Sequence, residues 1–561
     1  MSPLYSETIR DLWKKFRTDK KRNHKELKPA GLISDSQDKT VLFNVAWMQQ
    51  LVPYLSGKEH PLWKRLYNIQ WCIRTNDIEE VGDERHLTFF EMMGNRSLGD
   101  YFKKEAIERS WEFLTDQNYL WLDMKKFAVT IFEGNTDATK DEDSWNIRKK
   151  TWISEDKISS LSKKDNWRWP AGNTWPCWPD TEIFWYKPAW IPSTESNVKS
   201  DEDSRLEIRN NVFMEFYKDD KAKYTKLANQ NVDTGMGLER ICMILQNKET
   251  VFETDLFNGI IKQIEEITGQ DYPAFTKKNS EINDLEKKVL ISFRIIADHI
   301  RSSVFLIAEG LTPSNEGRGY VLRRLIRRMY YHIRKISAEK SESLEWKKFE
   351  KHINTLIEIM FQKYGKEFPH LAQKEMIVKV LITEMQHFRT TLEKNKKVLE
   401  EMKEKALKSA EKKLTGKEIF FLYDTLGIPL ELIKESMHHQ GLAIDENWFQ
   451  NELEAAKQKS RSWSKAMFKK DTDWSIHLQG LPLTQFIGYD QLETATSRLL
   501  KTFELHGQHI YVFDKTPFYA EWWGQTADKG TFILDDGKEI HITDVQNIGG
   551  VYVHFGAESD K

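Results

Sequence analysis

The sequence contains 561 residues, which at about 100–200 residues per domain corresponds to three or four domains. Charged residues make up 30%, hydrophobic residues 39% and aromatic residues 12% of the chain, a composition that supports folded cores and argues against extensive disorder. Because the formal net charge is -2, a nucleic-acid partner would have to bind a local basic patch rather than respond to bulk charge.

The three cysteines, Cys72, Cys177 and Cys242, lie far apart, which excludes a disulfide framework and a sequence-evident zinc knuckle. The charged N-terminal segment lacks the apolar core of a signal peptide. No uncharged apolar run approaches the roughly 20 residues that a membrane span needs. We therefore expect a cytoplasmic protein.

In chain order, residues 1–250 combine short apolar runs with helical patterns and predict an α+β domain with an antiparallel sheet. Strands are predicted at 86–93, 183–185 and 212–217, where aromatic and β-branched residues are enriched. Residues 251–460 predict a nearly all-helical region, with long helical patterns at 285–311, 320–336 and 381–413.

From residue 470 to residue 561 the pattern becomes β-like, with short strands separated by Gly and Asp-Gly turns. The predicted strands span 510–513, 531–536, 539–545 and 551–555.

Two segments of the first region indicate nucleotide chemistry. In Arg74–Asn95, an arginine able to neutralise a phosphate precedes a polar loop and an aromatic-rich strand able to stack on a base. Alone, this pattern is also typical of an edge hairpin with a structural ion pair. In Val232–Leu245, Gly235 and Gly237 lead into a helix that carries Arg240, an arrangement suited to close backbone approach and anion binding. A tight turn is the alternative, but the combination of the two segments is more specific than either.

Together with further motifs, these segments resemble the alanyl-tRNA synthetase family of class II aminoacyl-tRNA synthetases, over essentially the whole chain. The motifs are TVLFNVAWMQQLVPYLSG at 40–57, RTNDIEEVGDERHLTFFEMMGN at 74–95, GDYFKKEAIERSWEFL at 99–114, VTIFEGNTDATKDE at 129–142, RNNVFMEF at 209–216, NVDTGMGLERI at 231–241, ADHIRSS at 297–303, PSNEGRGYVLRRLIRR at 313–328, LYDTLGIPLEL at 422–432 and DKTPFYAEWWGQ at 514–525. The resemblance implies a class II antiparallel-sheet aminoacylation domain at 1–250, a helical tRNA-recognition domain at 251–460 and the start of a β-barrel editing domain at 470–561.

The resemblance also implies an ATP-dependent alanine–tRNA ligase. Alanine and ATP form alanyl-adenylate and pyrophosphate, and the alanyl group then passes to the 3′ end of tRNA(Ala). Such chemistry depends on positioning and charge neutralisation, and Mg²⁺ is expected through the ATP phosphates.

By this resemblance, Arg74 holds the α-phosphate and the alanine carboxylate, and Arg240 holds the γ-phosphate. Phe90 stacks on adenine, the Met92 backbone contacts the edge of the base, and Gly237 lies beside the nucleotide.

For alanine, Asp233 is expected to pair with the ammonium group, supplying the negative charge that an amino-acid pocket requires. Asn210 and Val212 are expected near the carboxylate and the methyl group, with Gly235 beside them.

On the tRNA side, arginines form a stripe on one predicted helix, with few acidic residues nearby in the sequence. An exposed charged helix is the alternative to a phosphate-binding face. The predicted tRNA-binding residues are Asn315, Arg318, Arg323, Arg327 and Asp424, of which Asn315 and Asp424 match the pair that contacts the acceptor-stem G·U base pair.

The family's zinc-binding editing cluster and C-terminal oligomerisation domain have no counterpart in this sequence, so we expect no zinc site and a monomer. Two other functions stay open: a catalytically weak or inactive tRNA-binding synthetase-like fragment, and a trans-acting deacylase, which the missing metal site disfavours.

The composition holds one anomaly. The chain has 27 glycines and 20 tryptophans, whereas average usage of ~7% would give about 39 glycines. Against the family, tryptophan stands where glycine is usual at Trp47, Trp63, Trp152, Trp175, Trp178 and Trp523, and arginine stands where tryptophan is usual at Arg96, Arg168 and Arg209. Five further tryptophans look similar to the first group: Trp71, Trp169, Trp190, Trp463 and Trp522. Both substitutions are expected if the source genome reads UGA as glycine and some CGN codons as tryptophan. A diverged enzyme with a tryptophan-rich pocket is the alternative.

Overall fold

The computed structural model describes residues 3–34, 42–55, 57–136, 138–151, 153–168, 175–218, 224–277, 281–314, 317–337, 346–409 and 412–425, and parts of 428–448 and 477–558. The chain forms two compact units, Met1–Met385 and Gln386–Lys561. None of the described helices is long and apolar enough to cross a membrane.

A mixed, mainly antiparallel sheet forms the centre of the first unit. Its described strands are β1 (Lys25–Glu26), β2 (Arg65–Ile73), β3 (Phe89–Leu98), β4 (Phe127–Phe132), β5 (Ile158–Leu161), β6 (Trp167–Arg168), β7 (Trp175–Tyr186), β8 (Arg205–Lys218) and β9 (Tyr224–Gly237). They follow the order β1-β2-β3-β9-β8-β7-β4-β5, with β6 paired to β7. Only the β1–β2 and β4–β5 pairs are parallel among these strands. The predicted α+β class with an antiparallel sheet is confirmed.

Helices surround this sheet and continue beyond it. They are α1 (Ser6–Thr18), α2 (Val52–Leu55), α3 (Lys103–Thr115), α4 (Glu142–Lys150), α5 (Leu238–Leu245), α6 (Asn258–Thr268), α7 (Asp284–Ala308), α8 (Gly317–Ile336), α9 (Trp346–Tyr364) and α10 (Lys374–Lys408). Helix α7 begins with a capping box between Asn283 and Glu286, and from Leu290 onward nearly all of its residues are buried. Phe305 of α7 stacks on Phe89 of β3 at 4.2 Å between ring centroids, so α7 lies against the sheet.

Some element boundaries differ from the sequence prediction. The strand expected at 86–93 begins only at Phe89 and runs on to Leu98. The preceding residues form a turn, in which Asp83 accepts hydrogen bonds from the backbone N–H groups of Arg85 and His86. The helix expected at 381–413 spans Lys374–Lys408 instead.

The second unit contains helix α11 (Gly416–Phe420), a π-helical turn at Phe421–Thr425 and short strands. Its described strands are β10 (Lys413–Leu414), β11 (Ala443–Ile444), β12 (Gln485–Phe486), β13 (Leu499–Leu505), β14 (Gln508–Phe513), β15 (Lys515–Thr516), β16 (Gly530–Ile533), β17 (Glu539–Ile548) and β18 (Val551–Glu558). Five of them form an antiparallel sheet in the order β13-β14-β18-β17-β16, which confirms the predicted β character of this region.

Candidate functional site

One cleft of the first unit lies over β3, β8 and β9 at the start of α5. The positions predicted to bind ATP and alanine all line this cleft: Arg74, Phe90, Met92, Asn210, Val212, Asp233, Gly235, Gly237 and Arg240. They come together because the strands carrying them are neighbours. In the ladders, Met92 lies opposite Gly237, and Val212 lies opposite Asp233.

The two glycines do not form the tight turn that was the alternative explanation. Strand β9 runs through Gly235 and Gly237 and passes directly into α5. Gly237 has a φ of -72°, so left-handed freedom is not the reason for glycine there. At Gly235 a Cβ atom would lie 3.1 Å from the sulfur of Met92, so a side chain would narrow the cleft and press on the neighbouring strand.

Two arginines provide positive charge on one side of the cleft. The Arg74 guanidinium lies 4.8 Å from the centroid of the Phe90 ring. Arg240 donates from Nη1 to the backbone oxygen of Glu207 at 2.7 Å and lies 3.2 Å from its carboxylate. Anionic groups of a ligand could therefore contact two cations next to an aromatic face.

Sequence reasoning missed several cleft residues. Glu207, the carboxylate partner of Arg240, had no signal in the sequence because it lies in an ordinary strand pattern. Arg85 and His86 lay within the quoted motif but received no role, and both line the cleft. His86 also lies 2.6 Å from Asp83. Although burial opposes the shift, the hydrogen bonds from His86 and Arg85 lower the pKa of Asp83 to about 2.

On the side of the cleft predicted to bind alanine, Asp233 lines the cleft, and Asp180 and Glu182 contact Asn210. Asn210 donates from Nδ2 to Asp180 and Glu182, both at 2.8 Å, so its N–H groups are directed to carboxylates. Its Oδ1 atom has no hydrogen-bond partner within the described part of the chain. The carboxylate of Asp233 lies 3.0 Å from the buried guanidinium of Arg96. This side can therefore accept hydrogen bonds from a cationic group, in competition with Arg96 at Asp233.

A buried ion network fixes the strand with Phe90 and Met92 against the helix with Arg240. The Glu239 carboxylate accepts from the backbone N–H of Glu91 at 3.2 Å and from Arg301 at 2.8 Å. Arg10 in turn donates to Glu91 at 2.6 Å. Burial raises the pKa of Glu239, and the Arg301 charge opposes the shift.

The loop between β2 and β3 is held by helices α7 and α8. The backbone N–H of Thr88 donates to Asp298 at 2.8 Å, and Arg294 donates to the backbone oxygen of Gly82 at 3.1 Å. Arg328 donates to the backbone oxygen of Ile78 at 2.5 Å. The position of the loop after Arg74 thus depends on two helices distant in sequence.

Of the predicted tRNA-binding residues, the structure describes the side chains of Arg318, Arg323 and Arg327. Arg318 donates to the backbone oxygens of Leu42 and Ser34 at 2.7 and 2.6 Å. Arg323 and Arg327 lie 3.2 and 2.8 Å from the carboxylate of Glu384, an acidic partner that the local sequence does not reveal.

Other predicted positions fall outside the description. Asn315, Trp152 and Trp523 lie outside the described residues, as do the side chains of Arg168, Trp175, Trp178 and Asp424. Within the described ranges, no group of three or more His, Cys, Asp or Glu side chains is arranged to hold a metal ion.

Comparison with known proteins gives consistent results. A family model described as "tRNA synthetases class II (A)" matches residues 8–561. Alanine–tRNA ligase of Thermotoga petrophila is 40% identical, over 99% of this chain and 61% of that protein. The enzyme of the same name from Petrotoga mobilis is 37% identical, over 98% of this chain and 60% of that protein. The Treponema denticola protein is 41% identical, over 80% of this chain and 72% of its own length. The chain thus spans about three-fifths of the length of the first two relatives.

Proposed function

The chain belongs to the alanine–tRNA ligase family of class II tRNA synthetases, and from this premise we propose that it activates alanine with ATP and transfers the alanyl group to the 3′ end of tRNA(Ala). The observation that carries the proposal is one cleft that brings together Arg74, Arg240, the Phe90 ring and the carboxylate of Asp233. Such a cleft suits a triphosphate, a purine and an ammonium group at the same time.

On the ATP side, Phe90 stacks on adenine and the Met92 backbone contacts the edge of the base, beside Gly237. Arg74 holds the α-phosphate and the alanine carboxylate, and Arg240 holds the γ-phosphate. Mg²⁺ bound to the phosphates adds positive charge. These roles follow from in-line substitution at phosphorus, in which fixed cations stabilise the charge that develops on oxygen.

On the alanine side, Asp233 pairs with the ammonium group. The sequence places Asn210 near the alanine carboxylate, but its N–H groups donate to Asp180 and Glu182, so we propose instead that its Oδ1 atom accepts a second hydrogen bond from the ammonium. Val212 contacts the methyl group, and Gly235 leaves room beside it.

For tRNA, we propose that residues 1–250 form the aminoacylation domain, 251–460 the acceptor-stem recognition domain and 470–561 the start of an editing barrel. Asn315 and Asp424 contact the acceptor-stem base pair. Arg318, Arg323 and Arg327 contact the phosphate backbone. The motifs PSNEGRG and LYDTLG support this part, and a cytoplasmic location belongs to the same proposal.

Alanine-dependent exchange between ATP and pyrophosphate tests the first step. Arg74→Ala and Arg240→Ala should each reduce exchange by at least about tenfold, because each removes a charge-assisted contact of roughly 1.5–3 kcal/mol. Arg389→Ala is the control, because Arg389 forms an exposed ion pair with Glu393 outside the cleft. Exchange at the unmodified rate in both cleft variants would contradict the proposed roles.

Charging of tRNA(Ala) tests the second step. Asn315→Ala and Asp424→Ala should weaken charging while leaving exchange unchanged, because adenylate forms without tRNA. Parallel loss of both activities would assign these residues to the fold. Absence of exchange in a protein that still binds tRNA would favour the inactive synthetase-like alternative.

A further inference from the structure

Four arginines behind the alanine side of the cleft have lost nearly all contact with solvent: Arg17, Arg96, Arg148 and Arg209 are at most 1% exposed. Arg96 lies against Asp233, whereas no described carboxylate lies within ion-pair distance of the other three. Two other arginines are buried to the same degree: Arg301 lies 2.8 Å from Glu239, and Arg205 donates to the backbone oxygens of Lys126 and Ser196 at 3.0 and 2.9 Å. Arginines buried to the same degree therefore differ in whether a carboxylate lies within ion-pair distance.

Among the described residues, the partners of the three arginines without carboxylates are neutral or missing. None of the three side-chain nitrogens of Arg17 has a hydrogen-bond partner in that part of the chain. Arg148 donates to the hydroxyl of Thr181, at 3.2 Å. Arg209 donates to Ser110, Asn95 and Thr234, at 2.9, 2.9 and 3.0 Å.

These buried groups keep their positive charge. Burial lowers the pKa of both Arg148 and Arg209 to about 9. A guanidinium stays protonated in proteins, so each charge would remain in the core without an ion-pair partner among the described residues, although the more distant Asp141 partly favours the charge of Arg148. Such burial strongly opposes folding.

An aromatic ring borders the space that holds two of these side chains, Arg17 and Arg209. The guanidinium of Arg17 lies 4.1 Å from the ring centroid of Trp13, and that of Arg209 lies 5.3 Å from it. A planar, uncharged ring satisfies the shape of such a slot without the cost of the charge.

We propose that positions 17, 96, 148 and 209, written as arginine, are tryptophan in the protein as its cell makes it, and that the neutral residue at 96 leaves Asp233 free for the substrate ammonium. Positions 96 and 209 already stood out by comparison with the family, whereas 17 and 148 emerge from burial alone. The part that concerns Asp233 rests on the proposed function.

Position 96 is the one where the identity of the residue affects substrate binding directly. Arg96 lies opposite Asp233 in the β3–β9 ladder, and its Nη2 atom is 3.0 Å from Oδ1. A substrate ammonium would have to compete with this internal cation for the same carboxylate. An uncharged side chain removes the competition and leaves Asp233 as an unneutralised anion of the pocket.

Tryptic peptide mass spectrometry of the protein purified from its native source tests the identities. The expected result is no cleavage after positions 17, 96, 148 and 209, and tryptophan masses there, while the same digest shows cleavage and arginine at Arg10 and Arg301. Arginine masses at the four positions would overturn the proposal. Pyrophosphate exchange by the same preparation separates this outcome from the proposed function, which would fail if the protein showed no exchange.

Two recombinant variants test the role of position 96. One carries Arg17→Trp, Arg148→Trp and Arg209→Trp, and the other adds Arg96→Trp. The fourth substitution should lower the KM for alanine by about tenfold or more while leaving the KM for ATP unchanged, because it frees one carboxylate. Adding Arg96→Lys instead retains the charge and should not lower the KM. Equal alanine KM values for the triple and the quadruple variant would overturn the role of position 96.

Discussion

The two sides of the cleft contain the same kind of buried side chain in opposite surroundings. Behind the ATP side, Arg10 and Arg301 each contact a buried carboxylate, that of Glu91 or Glu239. Behind the alanine side, the described partners of Arg148 and Arg209 are mainly hydroxyl and amide groups. The cost of burying an arginine charge is therefore compensated by a matched anion on the ATP side, and at Arg148 and Arg209 it is met only by neutral groups.

The physical reason is the cost of desolvation. Each ion that leaves water loses several kcal/mol of solvation, and a buried partner can recover most of that loss. Removing one member of a pair therefore destabilises the protein, whereas removing an unpaired ion stabilises it. Substitution of a paired arginine should therefore lower the free energy of unfolding, and substitution of an unpaired one should raise it. Measuring both signs tests the comparison.

The largest expected effect is on the paired side. Arg301→Met leaves the carboxylates of Glu91 and Glu239 buried near each other with less compensation, and should lower the free energy of unfolding by about 3–5 kcal/mol. Urea unfolding followed by far-UV circular dichroism measures the change. Arg389→Met, which breaks an exposed pair, should cost less than about 1 kcal/mol. Equal losses in the two variants would remove the basis of the comparison.

A second effect on the paired side depends on pH. His299 is fully buried, lies 2.8 Å from Asp298, and accepts from Arg328 at 3.0 Å. Burial lowers its pKa to about 4, and Asp298 only partly opposes the shift. In the unfolded chain the His299 imidazole takes up its proton near pH 6.5. The folded state is therefore favoured fully above pH 6.5, where the imidazole is neutral in both states. This stabilisation is lost progressively as the pH falls toward 4, by about 3 kcal/mol in total.

The matching experiment compares unfolding free energies of the unmodified protein and His299→Gln between pH 7 and pH 4. The difference between the two proteins should shrink as the pH falls, because the variant has no imidazole to protonate. A difference that stays constant through this window would show that His299 does not titrate with a lowered pKa.

On the unpaired side the sign reverses. Arg209→Trp, introduced into the chain as written, should raise the free energy of unfolding by about 1–4 kcal/mol, since it removes a buried charge and retains a flat side chain. Arg209→Lys keeps the charge and should give no gain. Urea midpoints of both variants measure the effect, and a loss of stability in the tryptophan variant would mean that the polar contacts of Arg209 outweigh its desolvation.

The sequence predicted much of the cleft because its motifs are local. Arg74 and Phe90 flank one loop, and Asp233 and Arg240 lie within one strand and the helix that follows it. Once neighbouring strands pair, the side-chain alternation brings such positions to one surface. The start of β3 was misplaced, because Leu87 and Thr88 have strand-like composition but lie before the strand, where the backbone N–H of Thr88 donates to Asp298.

The support behind the cleft could not be predicted in this way. Arg301 and Glu239 are 62 positions apart, and Arg327 and Glu384 are 57 positions apart. Charged residues at such separations have many possible partners, and only the packing of the helices selects one. The same limitation applies to Arg17 and Arg148, whose sequence surroundings do not show that they are buried.

The smallest expected effect extends the comparison from charge to backbone conformation. Trp121, in the loop between α3 and β4, has a φ of +46° and is 52% exposed. A left-handed backbone costs an L-residue about 1–2 kcal/mol, whereas glycine adopts it freely but adds entropy to the unfolded chain. Because the exposed indole contributes little packing, Trp121→Gly should leave a net gain of up to about 1 kcal/mol, seen as a higher urea midpoint.

Trp190, which is 67% exposed, is the matched control. Trp190 does not have a positive φ, so Trp190→Gly should lose stability, through the entropy of the unfolded chain and the loss of its edge contact with the Tyr186 ring. If both substitutions shift the midpoint in the same direction, the backbone at position 121 does not favour glycine, and the disagreement between residue and structure is confined to the buried arginines.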